Sequence, residues 1–303
     1  MIVNLPGTTT NDVNKKIIGL REEGGALTLS RVLTLVIALD NDEGLEDSIE
    51  AANFASREHP CRVIAVLPGD LEATDPSLDA EIRVGHDAGA GEVVVLRLNG
   101  ELAKHASSVV LPFLLPDTPV VAWWPADAPA VPAQDPLGQL AIRRITDATN
   151  SSDPLDAIKG RVKGYTAGDT DLAWSRITYW RALLASALDQ APYESIDSVL
   201  VSGLKDEPAL DVLAGWLASR IEGTVERAVG DLKVELHRKS EVVTLRRPQT
   251  GVTATLTRTG RPEALIPLAR REAKECLAED MRRLDADEIY FEALTGIDKV
   301  QYV

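Results

Sequence analysis

"LTLSRVLTLVIALDNDEGLEDSIEAANFASREHPCRVIAVLPGD", Leu27–Asp70, sets the fold class. Its opening, Leu27–Asp40, is rich in β-branched and aliphatic residues and predicts a strand buried towards its end. "GLEDSIEAANFASREH" then carries Leu45, Ile49, Ala52 and Phe54 at near-helical spacing, and "CRVIAVLPGD" returns as a short apolar strand. Strand, helix and strand in that order form a βαβ unit. Such a unit implies parallel pairing with a right-handed crossover.

The pattern continues on both sides. "TTTNDVNKKIIGLREEGG" reads as an amphipathic helix capped by Thr10 or Asn11 and stopped at Gly24–Gly25. Strands are predicted in "AEIRVGHD", "GEVVVLRLNG" and "TPVVAWW", a helix over "ELAKHASSVVLPFLL", and a helix–strand step in "GQLAIRRITDAT". The first half is therefore α/β, with a mostly parallel sheet flanked by helices. The polar stretch "TDATNSSDP" marks a boundary, giving an N-terminal domain at 1–150 and a C-terminal domain at 151–303.

Beyond it come a long helix, Asp171–Asp189, a strand in "SIDSVLVSG" and a helix around "EPALDVLAGWLASRIEG". Then "LKVELHR", "EVVTLRRP" and "GVTATLTRTG" alternate apolar and polar residues, the period of an antiparallel meander with one wet face. A final helix, "EALIPLARREAKECLAEDMRRL", closes this C-terminal α/β domain.

The chain has 303 residues, 45% apolar and 26% charged, the balance of an ordinary globular protein. A net charge of −15 argues against nucleic acid, whose affinity depends on Lys and Arg neutralising phosphates. Only Cys61 and Cys276 occur, which favours a reducing compartment and buried, inert thiols. The N-terminus lacks a secretory pattern and no apolar run is long enough for a spanning helix, so the expected location is cytoplasmic, with no membrane partner.

Chemistry-bearing motifs are sparse. The glycines of "RVGHDAGAGEVVVL" precede a strand and read as a tight turn rather than a phosphate loop. His59, His86, His105 and His237 lack metal-ligand spacing, and no GxSxG elbow occurs. No catalytic residue, cofactor or metal ligand is assigned.

Two stretches stand out. "LPDTPVVAWWPADAPAVPAQDP", Leu115–Pro136, ends a strand in two tryptophans and enters a proline run. Neighbours on a strand face opposite ways, so one of Trp123 and Trp124 is core and the other meets something else. In "DLAWSRITYWRALLASALD", Ala173, Ile177, Trp180, Leu184 and Leu188 form a core stripe. Trp174, Thr178 and Arg181 share the adjoining face, with Arg176 on the other flank. A Trp beside an Arg is either a cation–π pair packed inside the fold or the composition of a protein–protein hot spot.

"REHPCRVIAV", "LPFLLPDTPVVAWWP", "RRITDAT" and "DLAWSRITYWRALLASALD" together resemble the glucose-6-phosphate dehydrogenase assembly protein family, OpcA. The similarity runs from about Leu27 to Asp189 and weakens towards the C-terminus. It is carried by DxxWxRxxxWR (Asp171, Trp174, Arg176, Trp180, Arg181) and LPDxPVxxWWP (Leu115, Pro116, Asp117, Pro119, Val120, Trp123, Trp124, Pro125). The resemblance implies a non-catalytic partner of glucose-6-phosphate dehydrogenase that promotes its active oligomer and raises its activity in the oxidative pentose phosphate pathway. The residues expected at such a contact are Trp123, Trp124, Pro125, Asp171, Trp174, Arg176 and Arg181. The second tryptophan and the prolines after it either seal the Asp171 helix or face the enzyme. The alternative reading is a small-molecule binder or enzyme, for a sugar phosphate or nucleotide. It uses the carboxyl ends of the parallel strands, with Asp40, Pro68–Asp70 and Trp123–Trp124 around a crevice.

Overall fold

The parallel strands that the apolar runs demand form the middle of an eight-stranded sheet. A computed structural model describes residues 1–23, 32–85 and 92–303. The predicted stop at Gly24–Gly25, the start of the first predicted strand, His86 and the glycines Gly89 and Gly91 lie outside the described residues. Along the chain come β1 (Ile2–Thr8), α1 (Thr10–Glu23), β2 (Leu33–Ala38), α2 (Leu45–Ser56), β3 (Cys61–Pro68), β4 (Ser77–Val84), β5 (Glu92–Asn99), α3 (Ala106–Val110), β6 (Val120–Trp124), β7 (Arg143–Thr146) and β8 (Asp169–Asp171). The sheet order is β1-β4-β5-β3-β2-β6-β7-β8. Pairs β5–β3, β3–β2, β2–β6 and β6–β7 are parallel, while β4 runs antiparallel to both β1 and β5.

The second sheet follows α4 (Pro154–Gly164), α5 (Leu172–Arg176) and α6 (Thr178–Leu188). It is built from β9 (Ser198–Gly203), β10 (Thr224–Val229), β11 (Lys233–His237), β12 (Val242–Arg246), β13 (Thr253–Arg258), β14 (Ala264–Pro267) and β15 (Gln301–Tyr302). The remaining helices are α7 (Pro208–Arg220), α8 (Ala273–Asp280) and α9 (Glu288–Gly296). The order is β14-β13-β12-β11-β9-β10-β15. The meander β11–β12–β13 is antiparallel as its alternation requires, and β14 extends it. β9 and β10 are parallel, joined by α7.

Two compact units divide the chain: Met1–Asp147 with Thr166–Thr170 and Ala273–Ala286, and Ala148–Tyr165 with Asp171–Glu272 and Asp287–Val303. In the first, α1, α3 and the 3₁₀ turn Leu111–Phe113 after it cover one sheet face through Val13, Ile17, Val110 and Phe113, packed with Val36, Ile64, Leu96 and Trp124. α2 lies on β3 with α8 alongside it. The Phe54 ring has the Lys274 ammonium 6.0 Å from its centre. Both cysteines are buried and form no disulfide with each other, and Cys61 Sγ lies 2.8 Å from Ser56 Oγ. Arg143 reaches Asp280 at 2.8 Å in a buried ion pair, which ties α8 to β7.

In the second unit the core joins the inward residues of β9, β11 and β12 to α6, α7 and α9. α7 and α9 cross at backbone contact. A Cβ on Gly215 would lie 2.2 Å from the Ala293 carbonyl oxygen, and one on Gly296 2.0 Å from that of Gly215.

Several expectations are corrected. The segment Ile2–Thr8 is a strand. Its Pro6 and Gly7 hide that in the sequence, but β1 is an edge strand, where a missing donor is tolerated. Thr9 caps α1, its Oγ1 accepting from the Asp12 amide at 3.2 Å. The long helix Asp171–Asp189 is two helices parted at Ile177, whose ψ of 5° leaves the α region. Its core stripe is nevertheless buried at Ala173, Ile177, Trp180 and Leu184. The closing helix splits into β14 and α8, and α8 belongs to the first unit. Among the described residues no helix is long and apolar enough to cross a membrane.

Candidate functional site

The parallel strands point their carboxyl ends towards one rim of the first sheet. β2 leads by its crossovers to β3 and β5 on one side, while β6 and β7 lie on the other. The topological switch therefore falls between β2 and β6, where chains leave in opposite directions and open a crevice. The structure has a cavity of about 370 Å³ there. Asp40 enters it just after β2, Pro68 at the end of β3, Leu98 near the end of β5 and Trp124 at the end of β6. Ala103 and Ala106 add a small-residue wall, and Asp127, Ala128, Pro129, Asp135 and Leu137 come from the proline run.

That run, expected either to seal the Asp171 helix or to face a partner, does not stay extended. It folds back over the strand ends, with a tight 3₁₀ turn at Pro132–Gln134 and another at Gly138–Leu140. Asp135 Oδ1 accepts from the amides of Leu137 and Gly138 at 2.8 and 3.3 Å, which fixes the bend. Only glycine fits at 138, since a Cβ there would lie 1.8 Å from the Pro132 carbonyl oxygen. At the rim, partial burial together with the neighbouring Asp127 raises the Asp40 carboxyl above the usual aspartate range.

Both tryptophans are buried, Trp123 at 1% exposure and Trp124 at 4%. They still face opposite ways. Trp124 joins the cluster under α1 and α3, and the Trp123 indole N–H has no acceptor among the described residues. Pro125 is buried as well. The expected crevice thus takes Asp40, Pro68 and Trp124, whereas Gly69, Asp70 and Trp123 do not line it.

In the second unit, Asp171 caps α5. Its Oδ1 accepts from the Ala173 amide at 2.9 Å and its Oδ2 from the Ala148 amide at 3.0 Å. Trp174 follows at 3% exposure, its Nε1 donating to Asp287 Oδ2 at 2.8 Å. The other Asp287 oxygen caps α9 by accepting from the Tyr290 amide at 3.0 Å. The Arg181 guanidinium stacks 3.4 Å from the Trp174 ring centre and donates to Thr178 Oγ1 at 3.1 Å. Arg176 donates to the Arg271 carbonyl at 3.1 Å, and Arg271 returns a bond to the Ser175 carbonyl at 2.6 Å. Of the seven residues expected at a partner contact, only Arg176 and Arg181 keep partly exposed side chains. Asp127, Asp287 and Arg271 were not read from the sequence. Asp287 lies 113 positions from Trp174, and no local pattern reports such a pairing.

Two family models match the chain in order. Residues 52–163 match the N-terminal domain of a glucose-6-phosphate dehydrogenase subunit in the OpcA assembly family, and residues 167–294 match the corresponding C-terminal domain. The chain belongs to the OpcA family. Relatives named as OxPP cycle protein OpcA include those of Nostoc punctiforme and Synechocystis. The first is 27% identical over 191 residues, covering 56% of this chain and 40% of that one. The second is 27% identical over 220 residues, covering 67% and 44%. The matched region is less than half the length of either OpcA relative. Among solved structures, an oxidoreductase from Sinorhizobium meliloti aligns with a TM-score of 0.43 at 10% identity, covering 90% of this chain and 97% of that one. Glucose-6-phosphate 1-dehydrogenase from Mycobacterium avium gives 0.42 at 12%, covering 89% and 93%.

Proposed function

We propose that this chain is a non-catalytic assembly factor and allosteric activator of glucose-6-phosphate dehydrogenase, promoting its active oligomer in the cytoplasm. The observation that carries the reading is the ordered match of two family models, each described as part of a glucose-6-phosphate dehydrogenase subunit, across both halves of the chain. The relatives' naming as OxPP cycle proteins agrees with it.

The signature residues then take two roles. Asp171 and Trp174 in the second unit, and Trp123, Trp124 and Pro125 in the first, are positioning residues, each buried within its own unit. Arg176 and Arg181 are only partly buried residues whose guanidinium groups are held in place by carbonyl and indole contacts, so little side-chain entropy is lost when a partner's carboxylate or backbone docks. Activation requires tighter binding to the active form of the dehydrogenase than to the inactive one, typically by about 1–3 kcal/mol. Co-purification from the host, with dehydrogenase kinetics measured with and without the chain, tests this. Association with raised activity supports the reading, and no association with unchanged kinetics refutes it.

A further inference from the structure

One edge of the second sheet is closed by very little chain. β10 runs for six residues, yet β15 pairs with it in parallel only through Glu226–Gln301 and Arg227–Tyr302. One further bond runs from the Val303 amide to the Arg227 carbonyl at 3.1 Å. Both residues of β15 are exposed, and Val229 at the end of β10 is 67% exposed. So few main-chain bonds leave this edge free to open on its own. Tyr302 supplies most of what holds it. Its ring carries the Lys159 ammonium 3.9 Å from its centre, a contact that links β15 to α4.

Tyr302 also meets Asp211 of α7, which is 1% exposed. Neither oxygen of that carboxylate makes a hydrogen bond of ordinary length among the described residues. Arg227 Nε stands off at 3.6 Å, because its other two nitrogens are drawn to the carbonyls of Ala228, at 2.6 Å, and Leu204. The Tyr302 hydroxyl faces the same carboxylate. The charged and titratable groups around it are thus Arg227 of β10, Tyr302 of β15 and Lys159 of α4, while Asp298, in the turn after α9, acts on Tyr302. All of them belong to the second unit.

A buried carboxylate without a full hydrogen bond is costly once ionised. Burial lifts Asp211 above the usual aspartate range, against the opposing pull of Arg227 and Tyr302. Lifting β15 away would bring water to it and remove that cost. The closed form therefore binds the proton more tightly than the open one, so closure is favoured as pH falls and opposed as the carboxyl ionises. We propose that β15 is a proton-controlled latch on the β10 edge: Tyr302 closes it over Asp211, and loss of the Asp211 proton loosens it. Opening frees main-chain groups of a sheet edge, the kind of surface on which another strand can pair.

Hydrogen exchange on the full chain tests this, followed by mass spectrometry at Gln301–Val303 and corrected for the intrinsic effect of pH on exchange. β11 serves as the reference, since it reports opening of the whole unit. As pH is lowered from about 8 to about 4.5, Gln301–Val303 should become several-fold slower to exchange relative to β11. Asp211→Asn, which cannot ionise, should be slow and flat across that range, and Tyr302→Ala fast and flat. A flat profile in the parent, an Asp211→Asn profile that still follows pH, a Tyr302→Ala chain as slow as the parent, or equal changes in β11 would each overturn the proposal. If Asp211→Asn fails to fold, the parent profile and Tyr302→Ala still decide it. No dehydrogenase enters the measurement, so its outcome is separate from the activation reading.

Discussion

The Arg181 guanidinium lies 3.4 Å from the centre of the Trp174 ring, and the same indole donates its N–H to Asp287. One buried aromatic thus links α6, α5 and the cap of α9. Arg181→Ala removes the stacking and is expected to cost about 0.5–2 kcal/mol. That is a melting shift of a few degrees, read by calorimetry. If Arg181 also reaches the dehydrogenase, activation falls further than this loss explains at temperatures where the variant is fully folded. Arg181→Lys keeps the charge but loses the planar stack, so it should recover activation only in part.

Gly215 and Gly296 set the spacing of α7 and α9. Either one changed to alanine forces the helices apart, at an expected cost of about 1–3 kcal/mol for overpacking. Thermal unfolding measures it. A Gly215→Ala protein as stable as the parent would show that the two helices do not meet as closely as described.

Glu241 accepts from Arg258 Nε at 2.7 Å and Nη2 at 2.8 Å. These bonds hold its carboxyl below the usual glutamate range. Its folded value is lower than its unfolded one, so its stabilising contribution is present above the ordinary glutamate value and is lost as pH falls through the folded one. Glu241→Gln should therefore melt lower than the parent at pH 7. The gap should close as both are taken below about pH 4, near the unperturbed glutamate value.

Asp40 carries the opposite sign. Its carboxyl is raised, so the ionised group costs stability at neutral pH and protonation relieves it. Asp40→Asn should melt slightly higher than the parent at pH 7 and equal to it once the pH is low enough to protonate Asp40 in both states. A variant that loses stability at neutral pH would show that the carboxylate is held by a favourable partner.

The legible parts of this chain are those where one force acts locally. Strands β2, β3 and β5 are buried on both faces, and their unbroken apolar runs say so. The meander β11–β13 has one wet face, and its alternation says so. β14 was hidden because "ALIP" is short, ends in proline and precedes the helical residues of α8. The break at Ile177 lies within an uninterrupted helical pattern, and the membership of α8 in the first unit rests on pairings such as Arg143 with Asp280, far apart in sequence. The crevice was half legible. Asp40 and Trp124 end predicted strands, whereas Asp135 and Leu137 reach it only because the proline run bends back at Pro132–Leu140.

The central claim is that the chain acts by shifting glucose-6-phosphate dehydrogenase towards its active assembly. Sedimentation velocity of the purified dehydrogenase across a titration of this chain, with activity assayed on the same samples, tests it most directly. The account predicts that the larger species and the specific activity rise together and saturate at one ratio. A sedimentation profile and a rate that both stay flat at saturating chain would contradict it.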